Sequence, residues 1–177
     1  MNVLLACPRI FDDIGGGQRF YENLILNNPA VDFYCFGDAA PSAGLPQNAH
    51  FIRLTDVHRR QSGEFRLDEI PVGDPAEPLK GHPDELALLL DQAASVPAVR
   101  FDVVELADFL PLVVYFPECL KYFGIAFDKV VLSMHGTLSM GIRDNWGEPG
   151  DLSSLIEHEE MLYRYCDIRY EIGRAHV

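Results

Sequence analysis

Three stretches of the 177-residue chain carry groups suited to chemistry: Gly15-Gly16-Gly17 in "IGGGQRF", Glu105 and Asp108 in "VVELAD", and His135 in "SMHGT". Three consecutive glycines give up side-chain packing and cost backbone entropy, so the backbone there suits the close approach of another group. Gly15-x-Gly17 begins the dinucleotide fingerprint G-x-G-x-x-G/A, and Asp38 stands where a ribose-binding acid would stand. The fingerprint fails at Phe20, where a third small residue is needed, and Gly15 lies eight residues past Cys7 instead of directly after a strand. Glu105 and Asp108 supply carboxylates, which only accept hydrogen bonds when ionised and so suit ligand hydroxyls. A glycoside-hydrolase acid pair is the alternative for them, and it requires a separation that a sequence does not give. Arg19, two residues beyond the glycines, is placed to reach a phosphate or another anion, and Arg143 is a second cation for the same task. Each has a plainer reading: a flexible loop, capping acids, a packed strand-end histidine, surface arginines. "EHEEML" (Glu157–Leu162) is not H-E-x-x-H, so no zinc site follows, and its acids and histidine read as a solvated helix face. The chain has no G-x-x-x-x-G-K-[ST] loop and no G-x-S-x-G elbow.

These residues need elements to hold them. "NVLLAC" is a continuous apolar run, the mark of a strand buried on both faces. A loop reaches Gly17, and "QRFYENLIL" then puts Phe20, Leu24 and Tyr21 at helical spacing until Asn27-Asn28-Pro29 stops it. Strands follow at Val31–Gly37 and His50–Thr55. From Asp56 to Pro83 the pattern dissolves into a polar, Gly- and Pro-rich segment, expected to be a long loop or insertion. "PDELALLLDQAASV" is a helix opened by Pro83 and Asp84. Phe101–Leu106 is the fourth strand, and Pro111–Gly124 reads as an apolar helix interrupted by Pro117 and ended by Gly124. Lys129–His135 is the fifth strand, with His135 at its loop end and Gly136 and Thr137 shaping the loop beyond. "DLSSLIEHEEMLYRYCD" is the last helix, with Asp151 as candidate cap, and Ile168 begins a sixth strand. Strands alternating with helices predict an α/β fold with a Rossmann-like, mostly parallel sheet, helices on both faces, and ligands at the carboxyl ends of the strands.

Composition narrows the function classes. Hydrophobic residues make up 48% and charged residues 23%, ordinary for a globular domain. A net charge of −13 argues against a nucleic-acid partner, which needs Lys and Arg to neutralise phosphates. It also disfavours an anionic membrane while leaving room for a local peripheral contact. The N-terminus lacks the basic region and apolar length of a secretory signal, and the most apolar long stretch, Phe101–Phe116, is broken by Asp102, Glu105 and Asp108. The four cysteines have no paired spacing and sit in or beside apolar segments, so they read as buried thiols of a cytoplasmic protein, neither zinc ligands nor a disulfide frame.

In this order, "NVLLAC…IGGGQRFYENLI", "FDVVELAD", "VVLSMHGTLS" and "EHEEMLYRYCD" resemble the N-terminal domain of glycosyltransferase family 4, whose members have the GT-B fold. The likeness spans essentially Met1–Tyr170. It implies one half of an enzyme that moves a sugar from a nucleotide-sugar donor to an acceptor, with no further cofactor and no metal. The second domain of such enzymes holds most of the donor; the first binds the acceptor and closes over the donor diphosphate. The resemblance therefore assigns Gly15, Gly16, Gly17 and Arg19 to the diphosphate, where backbone N–H groups and a helix N-terminus favour phosphate oxygens. It places His135 near the reacting sugar, where it would bind a hydroxyl or steady developing charge. Glu105, Asp108, Thr137 and Arg143 fall on the acceptor side. A noncatalytic Rossmann-like binding module is the competing reading, and a nucleotide-dependent oxidoreductase a third.

"EIGRAHV" (Glu171–Val177) breaks the apolar logic of the sixth strand and resembles the translation of a sequencing adapter. The expectation is a native domain over residues 1–170, a non-native tail over 171–177, and a donor-binding domain absent from this chain.

Overall fold

The structure, a computed structural model, describes residues 1–7, 10, 16–37, 44–53, 83–108, 111–136, 139 and 152–171. Six strands form one parallel sheet: β1 (Asn2–Leu5), β2 (Asp32–Gly37), β3 (Ala49–Arg53), β4 (Phe101–Ala107), β5 (Phe127–Met134) and β6 (Ile168–Glu171). Their order across the sheet is β3-β2-β1-β4-β5-β6, the Rossmann order, as the alternating pattern predicts. The chain winds outward from β1 to β3, then returns to place β4 on the other side of β1. That reversal puts the topological switch point of the sheet between β1 and β4, whose carboxyl ends are where folds of this kind take ligands.

Four α-helices cover the sheet among the described residues: α1 (Gly16–Asn27), α2 (Pro83–Ser95), α3 (Phe116–Tyr122) and α4 (Ser153–Tyr165). Strand alternation divides the core between the two faces. On one, Val3, Leu5 and Cys7 of the β1 segment pack with Phe33, Cys35 and the α1 residues Tyr21 and Ile25. On the other, Leu4, Ala6, Val104 and Leu106 pack with Leu90 and Ala93 of α2, Phe116 and Leu120 of α3 and Leu162 of α4. Residues Tyr21 and Ile25 are the fully buried pair of α1, at i and i+4, and the expected Phe20 and Leu24 flank them half-buried. All four cysteines are buried and none is in a disulfide.

Local differences from the sequence reading have simple causes. The helix α1 begins at Gly16, so Gly16 and Gly17 belong to its first turn and not to the loop before it. Pro117 does not interrupt a helix. A 3-10 turn over Pro111–Tyr115 leads into α3, and Pro117 sits in the first turn of α3, where its missing N–H has no intrahelical partner to lose. Gly124 ends α3 as expected, with φ +71°. The cap of α4 is Leu152, with no side-chain cap bond, and Asp151 lies outside the described residues. The strand β6 extends through Glu171, which pairs with Met134, one residue past the expected boundary at Tyr170; residues 172–177 lie outside the described ones. So does the expected insertion, apart from Pro83 at the start of α2. Among the described residues no helix is long and apolar enough to cross a membrane.

Candidate functional site

The strand β4 sends alternate side chains to opposite faces of the sheet, and its polar end uses both. Glu105 points to the α1 face and Asp108, just past the strand, to the α4 face. The register sets Glu105 beside Leu5 and Val131, and Ala107 beside Ser133, which in turn faces Tyr170 on β6. Three adjacent strands thus bring polar side chains to the carboxyl end of one face, under the N-terminal half of α1.

Asp108 is 1% exposed and shapes the turn that carries His135. Its N–H continues the β4–β5 ladder by donating to the Ser133 carbonyl at 3.2 Å. Its carboxylate accepts from the His135 backbone N–H at 2.8 Å on one oxygen and from the Gly136 N–H at 3.1 Å on the other. Gly136 has φ +116°, a conformation that residues with a side chain rarely adopt. The phenol of Tyr163 on α4 also meets Asp108, and its pKa is raised, first by burial and then by the nearby acids.

Above this turn the His135 ring is held from three sides. Its Nε2 lies 3.2 Å from Ser133 Oγ, and the ring meets Phe20 edge-on at 5.3 Å and Tyr21 at 5.5 Å between centroids. Burial lowers the pKa of His135, with Asp108 pulling the other way. Deeper in, Tyr21 OH and Ser133 Oγ are 2.8 Å apart, and Tyr170 OH donates to Glu105 Oε1 at 2.5 Å. Burial pushes Glu105 up to about 7, against the hydroxyls of Tyr170, Ser133 and Tyr21, which favour its charged form. Burial, followed by the field of Glu105, also holds Cys7 up to about 12 and Tyr21 well above the usual tyrosine range. The result is a buried carboxyl that titrates near neutrality, roofed by hydroxyls and joined through them to a half-buried imidazole at the sheet edge.

A third buried carboxylate, Glu159 on α4, holds Ser139. Ser139 donates its backbone N–H to Glu159 Oε1 at 2.8 Å and its hydroxyl to Oε2 at 2.6 Å. This corrects the reading of "EHEEML" as a solvated face: Glu157 and Glu160 are exposed, but His158 and Glu159 are buried. Two donors from Ser139 replace the water that Glu159 gives up, and His158 packs edge-on against Tyr115.

Of the sequence candidates, the structure gathers Glu105, Asp108 and His135 at one sheet end, with α1 reaching them through Phe20 and Tyr21. Gly16 and Gly17 open that helix, and Arg19 is exposed on its first turn. Neither acid offers its carboxylate openly: Asp108 holds two backbone N–H groups, and Glu105 is 5% exposed beneath Tyr170. Gly15, Thr137 and Arg143 lie outside the described residues. The sequence reading missed Tyr21, Ser133 and Tyr170 as polar partners, and took Cys7 as a buried thiol without placing it beside Glu105. Ser133 stands two residues before His135 in an otherwise apolar strand, so period-2 alternation placing both on one face was the available signal. A cavity of about 280 Å³ lined by Tyr34, His50, Arg53, Ser95 and their neighbours lies at the β3 side and shares no residue with this cluster. Compared with protein-family models and with curated proteins, the chain matches none.

Proposed function

We propose that this chain is the acceptor-side half of a glycosyltransferase of GT-B type, taking a nucleotide-sugar and an acceptor at the carboxyl edge of β1, β4 and β5. One observation carries the reading. The resembling motifs "IGGGQRF", "VVELAD" and "SMHGT" are far apart in sequence, yet Phe20 and Tyr21, Glu105 and Asp108, and His135 meet at the sheet end where a parallel α/β fold takes ligands. Gly16 and Gly17 leave the first turn of α1 without side chains, so its N–H groups and positive end favour the donor diphosphate, with Gly15 before them and Arg19 beside them. His135 faces the sugar. Asp108 acts by setting the His135–Gly136 turn and Glu105 by supporting the ring from below; Thr137 and Arg143 continue the acceptor side.

The Rossmann strand order favours a second reading, a dinucleotide-dependent oxidoreductase, because that order also serves dinucleotides. Against it, Phe20 replaces the small residue of the fingerprint and packs on His135.

Titration of the 15N-labelled chain with a nucleoside-diphosphate sugar and, separately, with NADH tests both. The expected result is a shift of the Gly16 and Gly17 amides with the diphosphate sugar, lost in a folded Gly16→Val variant. Shifts with NADH alone would favour the oxidoreductase, and no shift with either would overturn the assignment of this edge.

A further inference from the structure

Ser133 has one hydroxyl proton and several neighbours arranged to compete for it. Its Oγ lies 2.8 Å from Tyr21 OH, 3.1 Å from the Leu106 carbonyl oxygen and 3.2 Å from His135 Nε2, and its hydroxyl also serves Glu105. A carbonyl and an ionised carboxylate only accept. A hydrogen bond to an ionised acceptor is roughly twice as strong as one between neutral groups, so a charged Glu105 draws the protons of Ser133 and Tyr21 inward. If the Ser133 proton goes to Leu106, to Tyr21 or to Glu105, the outcome at His135 is the same: the Ser133 oxygen meets Nε2 as an acceptor. We propose that Ser133 fixes neutral His135 as the Nε2–H tautomer and thereby makes Nδ1 the nitrogen that accepts. Any hydrogen bond at Nδ1 is then one that a donor makes to it. Ser133 is fully buried and is a positioning residue that acts through His135. The inference holds whatever reaction the edge serves, because it is argued from the hydroxyl array beneath the ring.

The packing fits this polarity. Phe20 and Tyr21 bury the ring and disfavour its charged form, so the imidazole is neutral and its two nitrogens have distinct roles. Long-range 1H–15N correlation of the imidazole rings in the labelled chain at about pH 8 reads the tautomer directly, with His135→Gln identifying the resonances. The expected wild-type spectrum shows a protonated Nε2, with its ring N–H proton protected from exchange with water, and an unprotonated Nδ1. Ser133→Ala should abolish that protected N–H resonance and move the nitrogens toward the averaged shifts of an unconstrained imidazole; Ser133→Thr, which keeps the hydroxyl, should restore both. A protonated Nδ1 in the wild type overturns the proposal, as does an unchanged spectrum in folded Ser133→Ala. If the alanine variant does not fold, the wild-type spectrum and Ser133→Thr still decide it.

Discussion

Replacing Glu105 by Gln tests the energetics of the buried cluster. The glutamine keeps the volume and an oxygen to accept from Tyr170, but carries no ionisable proton. In the wild type, burial raises Glu105 from 4.5 to about 7. Between those values the folded chain holds a proton that the unfolded chain has released, so stability falls as pH rises through the window and levels off above it. At about 1.4 kcal/mol per pH unit, the shift amounts to about 3 kcal/mol, most of it lost between about pH 5 and pH 8. His135, lowered by burial, works with the opposite sign: its neutral form is favoured in the folded chain, so that contribution is lost as pH falls. Both proteins contain His135, so the difference between them isolates Glu105. Urea unfolding of wild type and Glu105→Gln at several pH values should show curves that nearly coincide near pH 5 and diverge toward pH 8, with the glutamine variant the more stable by about 3 kcal/mol. For a chain of this size that is a melting-temperature gap of roughly 6–12 °C. A constant gap across the range, or a wild type that gains stability relative to Glu105→Gln as pH rises, would refute a carboxyl raised by desolvation.

Asp108→Ala removes the acceptor for two backbone N–H groups, so it should cost about 3 kcal/mol or more by denaturant unfolding, with Asp108→Asn intermediate because it keeps one acceptor oxygen. Gly136→Ala meets open space around its new Cβ but must hold φ +116°; thermal unfolding should show a loss of about 1–3 kcal/mol from backbone strain alone. Burial pushes Cys7, Cys35 and Cys119 up to about 12, so native protein at about pH 8 should leave these three thiols unlabelled by iodoacetamide, and mass spectrometry should find them modified only after unfolding.

The sheet was readable in advance because its central strands are apolar runs long enough to be buried on both faces, while the edge strands β3 and β6 are short and partly exposed. "NVLLAC" carries that signal with only Asn2 polar, and "KVVLSMH" carries it in Val130, Val131 and Leu132. Element ends were less so. Pro117 breaks a helix in its middle and favours one at its start, and its sequence context supports both readings. The turn at the site was half legible: "SMHGT" marks a strand end with a glycine, but that Asp108 fastens it from the neighbouring strand depends on register, which no local pattern encodes. The buried hydroxyl array was hidden for the same reason. Ser133, Tyr21 and Tyr170 come from a strand, a helix and a second strand, and each taken alone is unremarkable. Glu159 shows the opposite case: a residue in an acidic helix reads as solvated unless the partner that accompanies it into the interior, Ser139, is known.

The central strand pair joins residues that the chain makes far apart in time. Val3 pairs with Val103, and the Asn2 N–H reaches the Asp102 carboxylate across 100 residues. During synthesis at about 5–20 residues per second, β4 emerges roughly 5–20 s after β1. In that interval β1, α1 and β2 can assemble as a local unit, because Leu4 already has Tyr34 as its neighbour in the ladder. The other edge of β1 has no strand to meet, and Leu4 and Ala6 have neither α2 nor α3 to cover them. The nascent chain therefore presents an apolar strand with an open hydrogen-bonding edge, the kind of surface that chaperones hold and that aggregation exploits. Formation of the β1–β4 pair closes that edge and gives Leu4 and Val104 a shared core.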